Sequence, residues 1–394
     1  MKNHLFYALS VLLLFAFKVN GQNDQKVYNL EATKQKKYSI PLIDLSSETN
    51  RHVIVDRDSS RYFGHPSTLL KPDGKTMYCA YSLNHGGPPL FLKKSTDGGL
   101  TWSGYLSIPS NAGELRNCPF LFYQPDKKGT ERLLMMVGDG DAKGKTMWQA
   151  SSYDGGINWT EYAGNGCKSV VASPTMIPVN KGKKLLIWHH SYPEDGRMAG
   201  KNRALNVYQS ESTDGGETWK NIHAICAIGN ASPCEPAVVV SPDGKTMACL
   251  MRENSRRLNS VVSFSKNEGK TWSHPEELPA ALTGDRHQPK YTVDKKYLLI
   301  AFRDMAAESP TRGDFVVWIG TFNDIIKGQE GLCRVRLLQQ HEPRKGDCGY
   351  SGLELLPDGT FVATTYVKYK PEDKYNSIIG VRFKLDEILK KLKT

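Results

Sequence analysis

Apolar positions along this chain fall into short runs cut off by polar turns, and the runs recur. "KTMYCAYS", "RLLMMVGD", "KLLIWHH", "KTMACLMR", "KYLLIAFR" and "TFVATTYV" are rich in β-branched, aromatic and other apolar residues. Turns containing Asp-Gly, Lys-Gly or similar polar pairs bound them, which predicts strands. A strand led by Pro, or by a residue in its place, precedes each one: "HPSTLLKPDG", "CPFLFYQPD", "SPTMIPVNKG", "EPAVVVSPDG", "QPKYTVDKK" and "YSGLELLPDG". A third set follows, "LFLKKS", "MWQASS", "NVYQSE", "SVVSFS", "FVVWIG" and "IIGVRF".

The step between copies is roughly 53 to 62 residues, and six steps run from about residue 50 to the end. Such a period with several strands per unit predicts an all-β, six-bladed β-propeller. "RHVIVD" (51–56) is expected to supply the outer strand of the last blade, closing the ring and removing its open edges. Three of the third strands lead into an octapeptide, "STDGGLTW" (95–102), "SYDGGINW" (152–159) and "STDGGETW" (212–219), and a fourth into "SKNEGKTW" (265–272). Its Asp can accept backbone N–H groups, its Gly residues permit positive φ, and its Trp can pack beneath the hairpin. The octapeptide is therefore read as a folding clip, with Asn267 replacing Asp in the fourth copy.

Residues 1–21 read as a secretory signal peptide: Lys2 and His4, an apolar run from Leu5 to Phe17, then small or polar residues around Gly21. That run is too short to cross a bilayer of about 30 Å as a helix, and no stable membrane insertion is expected. Residues 22–50 form a leader and 51–394 the propeller, secreted or periplasmic and monomeric. The net charge of +11 favours anionic partners, and export selects acidic glycans over nucleic acid. The eight Cys show no dense or regular spacing and read mostly as buried small hydrophobes, with room for one or two disulfides. No metal or cofactor motif is present.

Propeller ligands bind near the axis at one end of the inner strands, so equivalent positions should form a ring. The residue before the Pro position is His65, Cys118, Ser173, Glu235, Gln288 and Tyr350. At the end of the second strands lie Ser82, His190, Arg252, Arg303 and Val367, with Asp139 and Asp141 in the longer second blade. Guanidinium groups on neighbouring strand ends match the bidentate geometry of a carboxylate, which predicts an anionic ligand. Arg116, Arg286 and Gln288 are further candidate sugar contacts, and His189 is expected to pack in a wall.

The repeated S-x-D-x-G-x-T-W turns on six blades resemble the sialidase (neuraminidase) superfamily of Asp-box proteins. The resemblance implies an exo-acting glycoside hydrolase that removes a terminal anionic sugar, sialic acid first, with a Tyr nucleophile helped by a Glu. "CEPAVVVSPDGKTMACLMREN" then makes Glu235 the base and Arg252 a clamp, "SPTRGDFVVWIG" adds Arg312, and "GYSGLELLPDG" makes Tyr350 the nucleophile. The first blade departs from the pattern. Gly64-His65-Pro66 stands where the family has Arg-Ile-Pro, and "SLNHGGPPL" has no carboxylate where the acid is expected. Asp141, ahead of Asp139, His85 and His65, is the candidate acid. The alternatives are an exo-glycosidase or lyase acting on a ketodeoxy or uronic acid, and a glycan-binding propeller without chemistry.

Overall fold

Why the apolar runs repeat is visible in where they lie. The computed structural model describes residues 26–115, 118–138, 146–341 and 346–393, and these form six β-sheets arranged as blades and a two-stranded ribbon, Met198–Ala199 with Asn202–Arg203. Apolar clusters fill the joints between neighbours. One joins blades one and two through Tyr78, Leu92, Leu121 and Met135, and another joins blades three and four through Trp188, Val207, Val238 and Cys249. Because both faces of a blade are covered, second strands such as Leu298–Asp304 are buried throughout and read as continuous apolar runs.

Blade one comprises Phe63–Leu70, Met77–Leu83 and Gly87–Ser95. A further segment flanks it, with Ser103 N–H donating to the Lys94 carbonyl and Leu106 N–H to that of Leu92, both at 2.8 Å. Blades two, three and four are four-stranded sheets in simple antiparallel order. In blade six the strand His52–Asp56 pairs antiparallel with Ser377–Lys384, the ring closure expected from "RHVIVD".

The leader is part of this body over its described residues. Leu42–Asp44 pairs parallel with Cys333–Leu338 as the fifth strand of blade five. Upstream, the N–H groups of Thr33 and Lys34 donate to Glu277 Oε2 at 2.9 and 3.0 Å, binding the leader to blade four. The expected signal peptide lies outside the described residues.

The octapeptides are clips, as read, at the ends of the third strands. In the third copy, Asp214 Oδ1 accepts the N–H groups of Glu217 and Thr218, each at 3.0 Å, while Ser212 Oγ accepts that of Gly216 at 2.9 Å. Asn267 keeps this geometry through Oδ1, 2.9 Å from Thr271 N. The Trp residues also tie blades together: Trp219 Nε1 donates to Gln149 Oε1 at 3.0 Å and Trp272 Nε1 to Gln209 Oε1 at 3.1 Å, each Gln belonging to the preceding blade. All eight Cys are buried and none is paired in a disulfide.

Candidate functional site

The start of the inner strand is bent in the same way in several blades. Cys234 pairs with Arg252 but Ala237 with Leu250, so Glu235-Pro236 forms a bulge carrying one extra residue. Gly64/Ser67 in blade one and Asp285/Gln288 in blade five repeat the shift. The residues at the bend take left-handed backbone conformations: His65 at φ 51°, Glu235 at 48° and Arg286 at 61°, with Cys118 at 45° in blade two. A non-glycine residue held there stores about 1–3 kcal/mol, and such strain collects at functional sites. Blade six places the left-handed residue at Gly349 (φ 86°), directly before Tyr350.

Tyr350 and Glu235 meet, the phenol donating to Glu235 Oε1. Arg252, from the end of blade four's second strand, donates from Nη1 to the same oxygen at 2.8 Å and lies 3.4 Å from the Tyr350 hydroxyl. Glu235 is 3% exposed and its Oε2 has no hydrogen-bond partner among the described residues. Burial is the largest influence and opposes its charge, but the Arg252 and Arg286 guanidiniums and the Tyr350 hydroxyl together hold the carboxyl below its ordinary value. Burial first, and then the charge of Glu235, push the Tyr350 phenol well above its ordinary value. The resting pair is therefore phenol and carboxylate.

The arginines gather around a residue that the sequence reading passed over. Asp285, fully buried, accepts from Arg256 Nη1 and Nη2 at 2.7 and 2.8 Å and from Arg303 Nη2 at 2.6 Å, and Arg252 Nε lies 3.2 Å away. Burial raises its carboxyl, yet Arg252, Arg303 and Arg256 together hold it far below the usual range. Arg286, 1% exposed, sits with its guanidinium carbon 5.1 Å from the centre of the Tyr350 ring. It donates from Nη2 to the Ala172 carbonyl at 3.2 Å, while its Nε and Nη1 have no partner among the described residues. Four guanidiniums against Glu235 and Asp285 leave the cluster cationic.

Two histidines complete the mouth. The His65 ring stacks on Tyr350, centroids 4.4 Å apart, and its Nδ1 lies 3.3 Å from Cys118 Sγ. Burial holds this imidazole neutral, well below its ordinary value. The His85 ring meets His65 edge-on at 4.4 Å, and its Nδ1 lies 2.9 Å from Asp347 Oδ1. Behind the pair, His190 Nδ1 accepts the Glu235 N–H at 3.1 Å and so supports the bend.

Tyr350, Glu235, Arg252, Arg303, Arg286, His65 and His85 are thus brought together. Arg312 is not: its Nη1 donates to the Met305 carbonyl at 2.6 Å, and it lines a separate cavity of about 390 Å³ with Lys36, Glu253 and Arg256. Gln288 is not either. It faces the axial channel, a cavity of about 260 Å³ lined by the inner strands, because the bulge makes Arg286 the counterpart of Glu235. Arg116, Asp139 and Asp141 lie outside the described residues. His189 is in the wall as expected, Nδ1 on the Lys168 carbonyl at 2.8 Å and Nε2 on Ser210 Oγ at 2.9 Å. Asp285, Arg256 and Asp347 were missed, although Asp347 stands three residues before Tyr350 in "GDCGYSG".

Residues 12–225 match the model of the BNR repeat-like domain. A sialidase of Clostridium perfringens is 19% identical over 253 residues, 62% of this chain and 57% of the relative, so the chain spans little more than half of that protein. An α-L-arabinofuranosidase of Fusarium graminearum superposes with a TM-score of 0.62 at 14% identity, over 86% of this chain and 99% of that one. An intramolecular trans-sialidase of Ruminococcus gnavus gives 0.56 at 16% identity, over 84% and 96%.

Proposed function

Because the chain belongs to the BNR repeat-like domain family, and with it to the sialidase superfamily, we propose that it is an exported exo-glycosidase that releases a terminal anionic sugar, sialic acid first. The observation that carries this reading is the Tyr350–Glu235 hydrogen bond beside Arg252. Glu235 takes the phenolic proton as the Tyr350 oxygen bonds to the anomeric carbon and the aglycone leaves with the bonding pair. Water then attacks the same carbon, the bond to the Tyr350 oxygen breaks with its electron pair, that oxygen recovers its proton from Glu235, and the proton lost by the water balances the one that the departed aglycone oxygen gains. A phenol suits an anomeric centre beside a sugar carboxylate, because a second carboxylate would repel it. The Arg286 and Arg252 guanidiniums beside Tyr350 favour an acid group on the sugar.

A second reading, that the sugar is a ketodeoxy or uronic acid, is favoured by Asp285. It already occupies Arg256 and Arg303, and the first blade offers Gly64-His65-Pro66 instead of an arginine.

The experiment is release of 4-methylumbelliferone from its α-sialoside and from ketodeoxy and uronic acid glycosides, with wild type, Tyr350→Phe and Glu235→Gln. Wild type turns over at least one of them, and each substitution lowers kcat/KM by about 10²-fold or more. Inertness across the panel, or activity that survives both substitutions, overturns the proposal.

A further inference from the structure

The hydrolytic reading leaves one proton without a carrier, the one that the departing aglycone oxygen must receive. Of the two mouth histidines, His65 is buried and held neutral, whereas the His85 side chain is 60% exposed. His85 packs edge-on against His65, the ring that stacks on Tyr350, so a single ring separates it from the nucleophile's side chain. Asp285 is occupied by its arginines and Glu235 by Tyr350 and Arg252.

We propose that His85, oriented by Asp347, is the general acid and then the general base of this site. Asp347 accepts from the hydroxyls of Tyr62 and Tyr366, at 2.6 and 3.1 Å, and from Asn376 Nδ2 at 3.3 Å, as well as facing His85 Nδ1. Burial raises its carboxyl, but these donors, His85 first among them, bring it down to about 2. An ionised carboxylate only accepts, so His85 Nδ1 carries a hydrogen and the ring is aimed by that bond. The segment bearing Asp347 is pinned on both sides, since Arg303 Nη1 donates to the carbonyls of Gly346 and Cys348. In the first step the proton on His85 Nε2 passes to the aglycone oxygen as the glycosidic bond breaks. In the second, Nε2 takes a proton from the attacking water. Asp347 is a positioning residue: it touches the acid and not the sugar.

The inference rests on the hydrolytic reading, and leaving-group chemistry separates the two. An aryl leaving group departs with little protonation, whereas a sugar alcohol needs it. With 3′-sialyllactose and the 4-methylumbelliferyl α-sialoside, or the matching pair for whichever acidic sugar is turned over, His85→Gln should lower kcat/KM by about 10²–10³-fold on the sugar aglycone and by less than about 10-fold on the aryl one. The charged and titratable groups facing His85 are Asp347, Tyr62 and His65. Asp347 is the carboxylate that aims the ring, so Asp347→Asn should reproduce the aglycone dependence of His85→Gln, a loss several-fold larger on the sugar aglycone than on the aryl one. Equal losses on both aglycones in His85→Gln, or in Asp347→Asn, overturn the assignment while leaving the Tyr350–Glu235 reading intact. A wild type inert on every glycoside removes that reading, and this inference with it.

Discussion

Single residues were legible where the repeat could be counted and illegible where it hides a bulge. In blades one and four a Pro directly follows the bent residue, as in His65-Pro66 and Glu235-Pro236. In blade five the bend is at Arg286 while the Pro comes three residues on, at Pro289. Counting from the Pro therefore selected Gln288, on the same alternation but inside the channel. Asp285 carried no signal, because its meaning comes from three arginines on two other segments of the chain, Arg252 and Arg256 on one and Arg303 on the other. That arrangement gives a prediction at its own scale. Removing one partner of a buried ionic cluster leaves charges unpaired, so Asp285→Ala should lower the unfolding free energy by about 3–5 kcal/mol, read from urea denaturation. A change below 1 kcal/mol would mean that the arginines find water or other acceptors.

Elements were easier, because strands buried on both faces announce themselves as apolar runs and the octapeptide specifies its own turn. What the motif does not reveal is its partner in the preceding sheet: Gln149 and Gln209 look like ordinary strand residues until Trp219 and Trp272 are seen to donate to them. The clips close the ends of the third strands, whereas the site is built where the first strands begin and the second strands end, so the two should be separable by substitution. Asp214→Ala loses the carboxylate that accepts from Glu217 and Thr218, and it should cost about 1–2 kcal/mol of stability. kcat/KM on the working substrate should stay within twofold of wild type, and a larger loss would connect the clip to the site.

For the whole molecule, six units and their closure could be read from the period, while the leader's place in blade five could not, since three residues in a parallel edge strand carry no pattern. The folded chain also holds several imidazoles neutral by burial: His189 at about 4, His190 at about 3, and His65 and His287 below the ordinary value. These groups bind protons in the unfolded chain first, so stability is full above about pH 6.5 and falls as pH drops towards the folded values. Asp285 and Asp347, depressed in the folded state, add their own loss below about pH 4. Thermal unfolding midpoints should therefore decline steadily from pH 7.5 to pH 4. A flat profile would show that the imidazoles take up protons without unfolding.

Closure by His52–Asp56 also sets a timetable for biosynthesis. Residue 52 pairs with residue 381, so the strand made near the start must wait for one made near the end. At about 5–20 residues per second that interval is tens of seconds, during which an unpaired strand edge is open to the wrong neighbour. Ile54, 51% exposed even in the finished ring, is the apolar side chain that this waiting strand presents to its surroundings.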